Sequence, residues 1–461
     1  MKTVGKPLAE VYAAAATPAL NDRREIFGWV MYDWANSAFQ TTVITVLLGP
    51  YLTALAQAAV GENGTVLRLG PLGVVTAKSL FPYCVSLSVF LQVFLLPGLG
   101  AVADYSSLKK RLMAILCYAG VAATCVMCVM PGRAYLAVGL LFVAANLSFG
   151  ASNVLYNAFL NDIATPDRRD EVSSRGYALG YLGGGLLLAL NLALVLNADR
   201  IGLSRDLAVR LSLLSAGLWW GGFAVVTFSR LRRRPAPLSA SPGRSRMAAL
   251  VAQVAATIRE LRRLPHTFRY LIAYMLYNDG IQTVISVASV FLAQELFVAR
   301  GVPVDESFLI GLVLMIQFIA FFGALLFERL ARFVRAKNAI LISLVLWTGV
   351  IVYSYRFLQT TAQAWVMGAV IAIVLGGSQA LSRSLFSLMI PPGREASFFG
   401  LYEISERGTS WIGPFLFGLV AGATNSYRQA ILSLVVLFVG GMLVLATTDT
   451  DRAVREAGTA L

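Results

Sequence analysis

The stretch GWVMYDWANSAFQTTVITVLLGPY, residues 28–51, decides the class of this protein. It is an apolar run of helix length, close to the roughly 20 residues that a bilayer core requires. Within it sit Asp33, Asn36, Ser37, Gln40, Thr41 and Thr42. In a regular helix Asp33, Asn36 and Gln40 recur at i, i+3 and i+7 and share one face. A carboxylate in hydrocarbon costs roughly 2.5–3.5 kcal/mol on insertion scales, so Asp33 is expected to face a bundle interior or a wet cavity. A polar stripe on a spanning helix predicts a lined pathway.

The rest of the chain agrees. Of its 461 residues 57% are hydrophobic and 13% charged, where a soluble domain carries about 25% charged residues. A net charge of +14 would suit a nucleic-acid binder. The basic residues are confined to short segments between apolar runs, however, which excludes nucleic acid as a partner and follows the positive-inside rule. Cys84, Cys117, Cys125 and Cys128 all lie inside apolar runs and read as packing residues. His266, the single histidine, sits in a basic loop, so a histidine proton relay inside the membrane is excluded. Gly183-Gly184-Gly185 lacks the Lys-Ser/Thr of a phosphate loop. With no nucleophile–base pair and no metal cluster visible, neither an enzyme nor a cofactor is expected.

Further apolar runs near 80–102, 112–130, 134–160, 176–196 and 207–228 complete a first set of six. Six more lie near 270–297, 308–327, 339–357, 364–390, 398–422 and 430–446, making twelve spans in an all-α, polytopic membrane protein. The expected division is a cytosolic tail at 1–26, a six-helix half at 27–229, a basic linker at 230–269, a second half at 270–448 and a tail at 449–461. Residues 247–264 of the linker place Leu250, Val251, Val254, Ile258 and Leu261 at helical spacing against Arg259, Arg262 and Arg263. That amphipathic helix either lies on an anionic leaflet or packs under the bundle. With the amino terminus in the cytosol, about 27 of the 38 Lys+Arg fall on that side and about 9 outside, Arg383 and Arg407 remaining within spans. Both termini are then cytosolic, and the compact chain with short loops points to a bacterial cytoplasmic membrane.

The two halves repeat each other. Tyr32-Asp33 in the first span answers Tyr277-Asn278-Asp279 in the seventh, each followed by Gln-Thr and a β-branched run. Gly-Ala-Ser-Asn at 150–153 answers Gly-Gly-Ser-Gln at 376–379, and Pro166 and Arg168 then fall opposite Pro392 and Arg394. Two pseudo-symmetric six-helix halves joined by a basic linker are the build of many secondary transporters.

Gly100-Ala-Val-Ala-Asp104 followed by Lys109-Lys110-Arg111 resembles the loop between helices 2 and 3 of the major facilitator superfamily. Asp104 is expected near a helix end of its own half, holding the bundle closed toward the cytosol, while the basic cluster sets topology. Three longer stretches, YDWANSAF (32–39), NDIATPDRRDEVSSRGYALGYLGGGLLLALN (161–191) and GGSQALSRSLFSLMIPPGREASFFGLYEISERGTSWIGP (376–414), resemble the branch of autophagy-linked vacuolar amino-acid effluxers and their bacterial relatives. The resemblance implies the twelve-helix fold with alternating access and export of neutral amino acids.

Binding is expected from the first, fourth, seventh and tenth spans, through Asp33, Asn36, Gln40, Asn153, Asn157, Asp279, Gln282, Gln379 and Arg383. Asp33 reads as the partner of a substrate ammonium or as a proton-coupling carboxylate, and Asp279 as a binding residue or a cap on a broken turn. Arg383 needs a carboxylate if buried, and Glu403 or Glu406 could supply it. Glu403 and Arg407 stand at i, i+4 in the favourable order, so these residues form either an inner gate or a static ion network. The expected function is secondary active transport of a small solute, with protons as the coupling ion. Two alternatives stand beside it: export of an amphipathic drug or lipid, and a non-transporting sensor built on the carrier fold.

Overall fold

The computed structural model describes residues 20–61, 64–68, 74–130, 134–235, 246–407 and 412–458. Eleven helices among them are long and apolar enough to cross a membrane. The first six spans are Arg23–Val60, Ala77–Asp104, Lys109–Val129, Tyr135–Ile163, Pro166–Leu196 and Arg205–Arg230. After the linker come the seventh to tenth, Pro265–Arg300, Glu306–Val334, Ala336–Arg356 and Thr361–Leu388. The twelfth is Tyr427–Thr447. The expected eleventh span is described as helix over Glu395–Arg407 and Ile412–Thr424, with residues 408–411 outside the described set. The loop after the first span departs from an all-helical reading: Thr65–Arg68 and Val74–Thr76 pair as an antiparallel hairpin.

The first span is not a uniform α-helix. Asp22 caps it, its Oδ1 accepting the Arg24 and Glu25 N–H groups, and the first of these bonds draws the Asp22 carboxyl below its ordinary pKa. From Phe39 to Leu47 the winding widens to a π-helix, with the Thr45 hydroxyl bonded to the Gln40 carbonyl. The run Thr41-Thr42-Val43-Ile44-Thr45-Val46 is β-branched throughout and crowds a regular turn; such π segments concentrate at functional sites. The i, i+3, i+7 face therefore holds for Asp33 and Asn36 but is broken before Gln40.

Helices meet where side chains are absent. A Cβ on Gly100 of the second span would stand 2.3 Å from the Ala396 carbonyl, and one on Gly376 of the tenth 2.3 Å from the Ala320 carbonyl of the eighth. Small residues at these crossings let backbones approach, which drives packing where no hydrophobic effect operates between helices. The linker helix Arg246–Arg263 packs under the bundle: Leu261 is buried, Glu260 pairs with Arg394 at 3.0 Å, and Ile258 is exposed. The side chains of Leu250 and Val251 lie outside the described set.

The start of the first span, the end of the sixth and the linker share one side of the molecule. There Arg234 pairs with buried Glu25 at 3.0 Å, and the Lys110 Nζ donates to the Leu231 carbonyl at 2.6 Å. The Asp449 N–H donates to His266, which brings the C-terminal tail helix Thr450–Glu456 to the same side.

Candidate functional site

The chemistry concentrates in the linker-side half of the bundle, where the two six-helix halves touch. Asp33 enters from the first span about one turn after a buried Trp29, and Arg383 from the last turns of the tenth. Arg383 Nη2 lies 3.1 Å from Asp33 Oδ2, with the two residues 2% and 8% exposed. The carboxylate that neutralises Arg383 is thus Asp33 in the other half, a correction to the expectation of Glu403 or Glu406. The Tyr156 hydroxyl donates to the same Asp33 oxygen at 2.7 Å. Arg383 completes its donor set on Ser173, with Nε to the hydroxyl at 2.9 Å and Nη2 to the carbonyl at 2.9 Å. Its guanidinium also lies over the rings of Tyr177 (4.2 Å), Trp29 (4.8 Å) and Tyr156 (5.5 Å). Trp29 and Tyr156 stack, and the indole N–H donates to the Tyr156 carbonyl at 2.8 Å. The charge is paired, hydrogen-bonded and walled by aromatic faces, as a buried guanidinium requires.

Symmetry accounts for the meeting. Asn157 and Arg383 are 226 positions apart, the offset that relates the fourth and tenth spans, and Arg383 Nη1 reaches Asn157 Oδ1 at 3.4 Å. Asn161 and the Ser387 carbonyl, also 226 apart, are joined at 3.0 Å. Equivalent residues of two repeats meet where the pseudo-two-fold axis passes between them. Asn157 turns its amide to Glu403 Oε1 at 2.9 Å, which ties the helix Glu395–Arg407 to the fourth span.

The other candidates fall into place around this centre. Asn36 donates to Asn153 at 2.8 Å within the first half. Gln379 accepts from the Tyr181 hydroxyl at 2.6 Å across the halves. Gln40 and Gln282 are half-buried, with Gln40 Oε1 lacking a partner. Asp279 stands apart from the Asp33–Arg383 pair and holds the Gly413 N–H at 2.7 Å; it caps a helix of the eleventh span rather than a turn of its own. Glu406 offers its backbone carbonyl to Asn278 at 3.1 Å, and the Arg407 side chain lies outside the described set.

Asp104 was expected on a helix end of its own half. It accepts instead from the Ala396 and Ser397 N–H groups of the other half, at 2.9 and 2.8 Å. Gly100, one turn earlier on the same face, permits that approach. Lys109 is buried and pairs with Asp162 at 3.0 Å, Lys110 anchors to the linker, and Arg111 is exposed. Arg169 donates to the Ser387 carbonyl at 2.9 Å and adds to the same closure. Hydrogen bonds between the halves gather on the linker side, so this conformation is closed there.

The sequence reading missed Trp29, Tyr156, Ser173, Tyr177 and Gly176. Tyr156 and Asn157 are the repeat equivalents of Ser382 and Arg383, a signal present in the alignment of the halves. Gly176 is the test of how tightly the pair is held: a Cβ there would lie 2.3 Å from Asp33 Oδ2 and 2.9 Å from Arg383 Nη2. Gly176→Ala is expected to lower stability by about 1–3 kcal/mol through overpacking. Gly180→Ala, whose Cβ meets the Ser37 hydroxyl at 2.7 Å, should cost less because a hydroxyl can rotate away. Thermal unfolding of the two purified variants compares them, and equal losses would deny the pair its rigid seat.

Known proteins share this architecture and sequence. Residues 21–458 match the family described as vacuole effluxer Atg22 like. An uncharacterized MFS-type transporter of Bacillus subtilis, YxiO, is 30% identical over 430 residues, covering 92% of this chain and 95% of its own. Autophagy-related protein 22-1 of Aspergillus niger is 27% identical over 468 residues, covering 83% of this chain and 75% of its own. Among solved structures, the human organic anion transporter MFSD10 superposes with a TM-score of 0.68 at 14% identity, over 92% of this chain and 99% of that one. The major facilitator transporter FucP, in the outward conformation, gives 0.66 at 12% identity, over 92% and 98%. At those identities the structures speak for the fold alone. The match along nearly the whole chain settles the family: this protein belongs to the vacuole effluxer Atg22 like family and is a multi-pass membrane transporter of the major facilitator type.

Proposed function

We propose that this transporter exports neutral amino acids by alternating access, with Asp33 and Arg383 as the substrate-binding pair. The observation that carries the reading is a buried ion pair made of one charge from each half. A zwitterion brings an ammonium and a carboxylate a few ångströms apart. Its ammonium replaces the guanidinium at Asp33, its carboxylate replaces Asp33 at Arg383, and neither buried charge is left unpaired during the exchange. Parting the pair also parts the halves on the linker side, which is the motion alternation needs. The charge asymmetry of the loops supports a cytosolic linker and termini, and the Bacillus subtilis relative supports a bacterial membrane.

The test is export from proteoliposomes loaded with an amino-acid mixture under an imposed pH gradient, followed by mass spectrometry. Selective loss of a few neutral amino acids is expected, abolished by Asp33→Asn. No loss from correctly inserted protein would overturn the substrate class. The aromatic walls formed by Trp29, Tyr156 and Tyr177 favour, as a second reading, an amphipathic substrate. Efflux of a lipophilic cation or anion in place of amino acids would select it.

A further inference from the structure

The repeat places Asp33 and Asp279 at corresponding points of the first and seventh spans, yet their surroundings differ. Asp33 has a guanidinium at 3.1 Å. Asp279, 1% exposed, has one partner among the described residues: its Oδ2 accepts the Gly413 N–H at 2.7 Å, while Oδ1 is buried and accepts from none of them. Its neighbour Asn278, fully buried, donates to the Glu406 carbonyl at 3.1 Å. Two adjacent residues of the seventh span thus grip both helices of the eleventh, the donor on the last turn of Glu395–Arg407 and the acceptor on the first turn of Ile412–Thr424.

The charge at Asp279 has no counter-ion among the described side chains. The inner helix of the eleventh span carries Glu395, Glu403 and Glu406, all acidic, with the Arg407 side chain outside the described set. The tenth span's Arg383 is committed to Asp33, and the twelfth presents Phe438 and Gly441 beside Gly280 and Tyr277. Arg428 of the twelfth is held at the far end by Glu295 at 2.7 Å, and His266 and Arg269 stand at the linker end of the seventh. A carboxylate in the bilayer without a cation is costly, so it attracts one. An alkali ion needs several converging oxygens; a proton needs one.

We propose that Asp279 is a proton-binding site: the carboxylate takes up one proton on Oδ1 and, as a neutral acid, loosens its hold on the outer helix of the eleventh span. Bonds to an ionised acceptor are about twice as strong as those to a neutral one, so the proton's arrival is read by the first turn of Ile412–Thr424. The use of that proton in coupling rests on the transport reading above; the site itself does not.

Hydrogen exchange of the full chain in nanodiscs tests the site without any substrate. Corrected for the chemical rate, exchange in the first turn of Ile412–Thr424 is expected to quicken about five- to tenfold between about pH 8 and about pH 5. In Asp279→Asn it should be fast and independent of pH. Asp279→Glu should restore the dependence, which guards against a folding defect, and Asn278→Ala should leave it in place. A wild-type protein with no pH dependence, or an Asn variant that keeps it, would overturn the proposal. Protection that appears on replacing choline with sodium at fixed pH, and only in the wild type, would overturn it in favour of an alkali-ion site. Failure here leaves amino-acid export standing, and failure of the export assay leaves the proton site standing.

Discussion

Arg383→Gln is expected to abolish transport and to lower the stability of the detergent-purified protein by about 3–5 kcal/mol, the usual cost of leaving one member of a buried ion pair uncompensated. Among the described residues, Asp33 would keep the Tyr156 hydroxyl as its one side-chain donor. The diagnostic variant is the double one. Asp33→Asn combined with Arg383→Gln removes both charges, and stability should recover by more than half while transport stays at zero. A double variant no more stable than Arg383→Gln alone would show that Asp33 is not the charge Arg383 balances. Recovery of transport together with stability would show that the pair only holds helices together. The two residues touch, so their effects should be far from additive.

Asp104→Ala carries the second large effect, on conformation. Asp104 is wholly buried and accepts two N–H groups at the start of the eleventh span. Bonds to a charged acceptor contribute about 1.5–3 kcal/mol each, and both exist only while the linker side is closed. Their loss is expected to shift the equilibrium toward the linker-open state by about 3 kcal/mol, roughly a hundredfold in population. Distances between spin labels on the linker-side ends of the second and eleventh spans would measure the shift. An unchanged distribution would mean that Arg169–Ser387 and Arg383–Asp33 hold the closure without Asp104. Gly100→Ala should move the equilibrium the same way, because its Cβ would meet the Ala396 carbonyl at 2.3 Å.

What the sequence by itself determined is the architecture and the identity of the expensive residues. Apolar length, charge spacing and the internal repeat suffice for a twelve-span plan, because a bilayer sets one length scale and one sign rule. Asp33, Arg383 and Asp104 were legible for a related reason: a charge or capping acid amid hydrocarbon needs a purpose wherever it lies along the chain. Pairing was not legible. Asp33 and Arg383 are 350 positions apart, and Asp104 and Ala396 are 292 apart. No local periodicity says which of several carboxylates will meet one guanidinium. Glu403, 20 positions away, looked nearer than Asp33 in sequence, yet the fold gives it to Asn157.

Local geometry also escaped. The π winding at Phe39–Leu47 depends on what neighbouring helices offer to freed backbone groups. Tertiary structure alone decided that Asp33 is neutralised while Asp279 has no counter-ion among the described side chains, although the repeat makes them look alike. The two halves share a backbone plan, but Arg383 stands where its counterpart Asn157 carries no charge. One cation on the pseudo-two-fold axis can serve only one of the two carboxylates, and packing selects which.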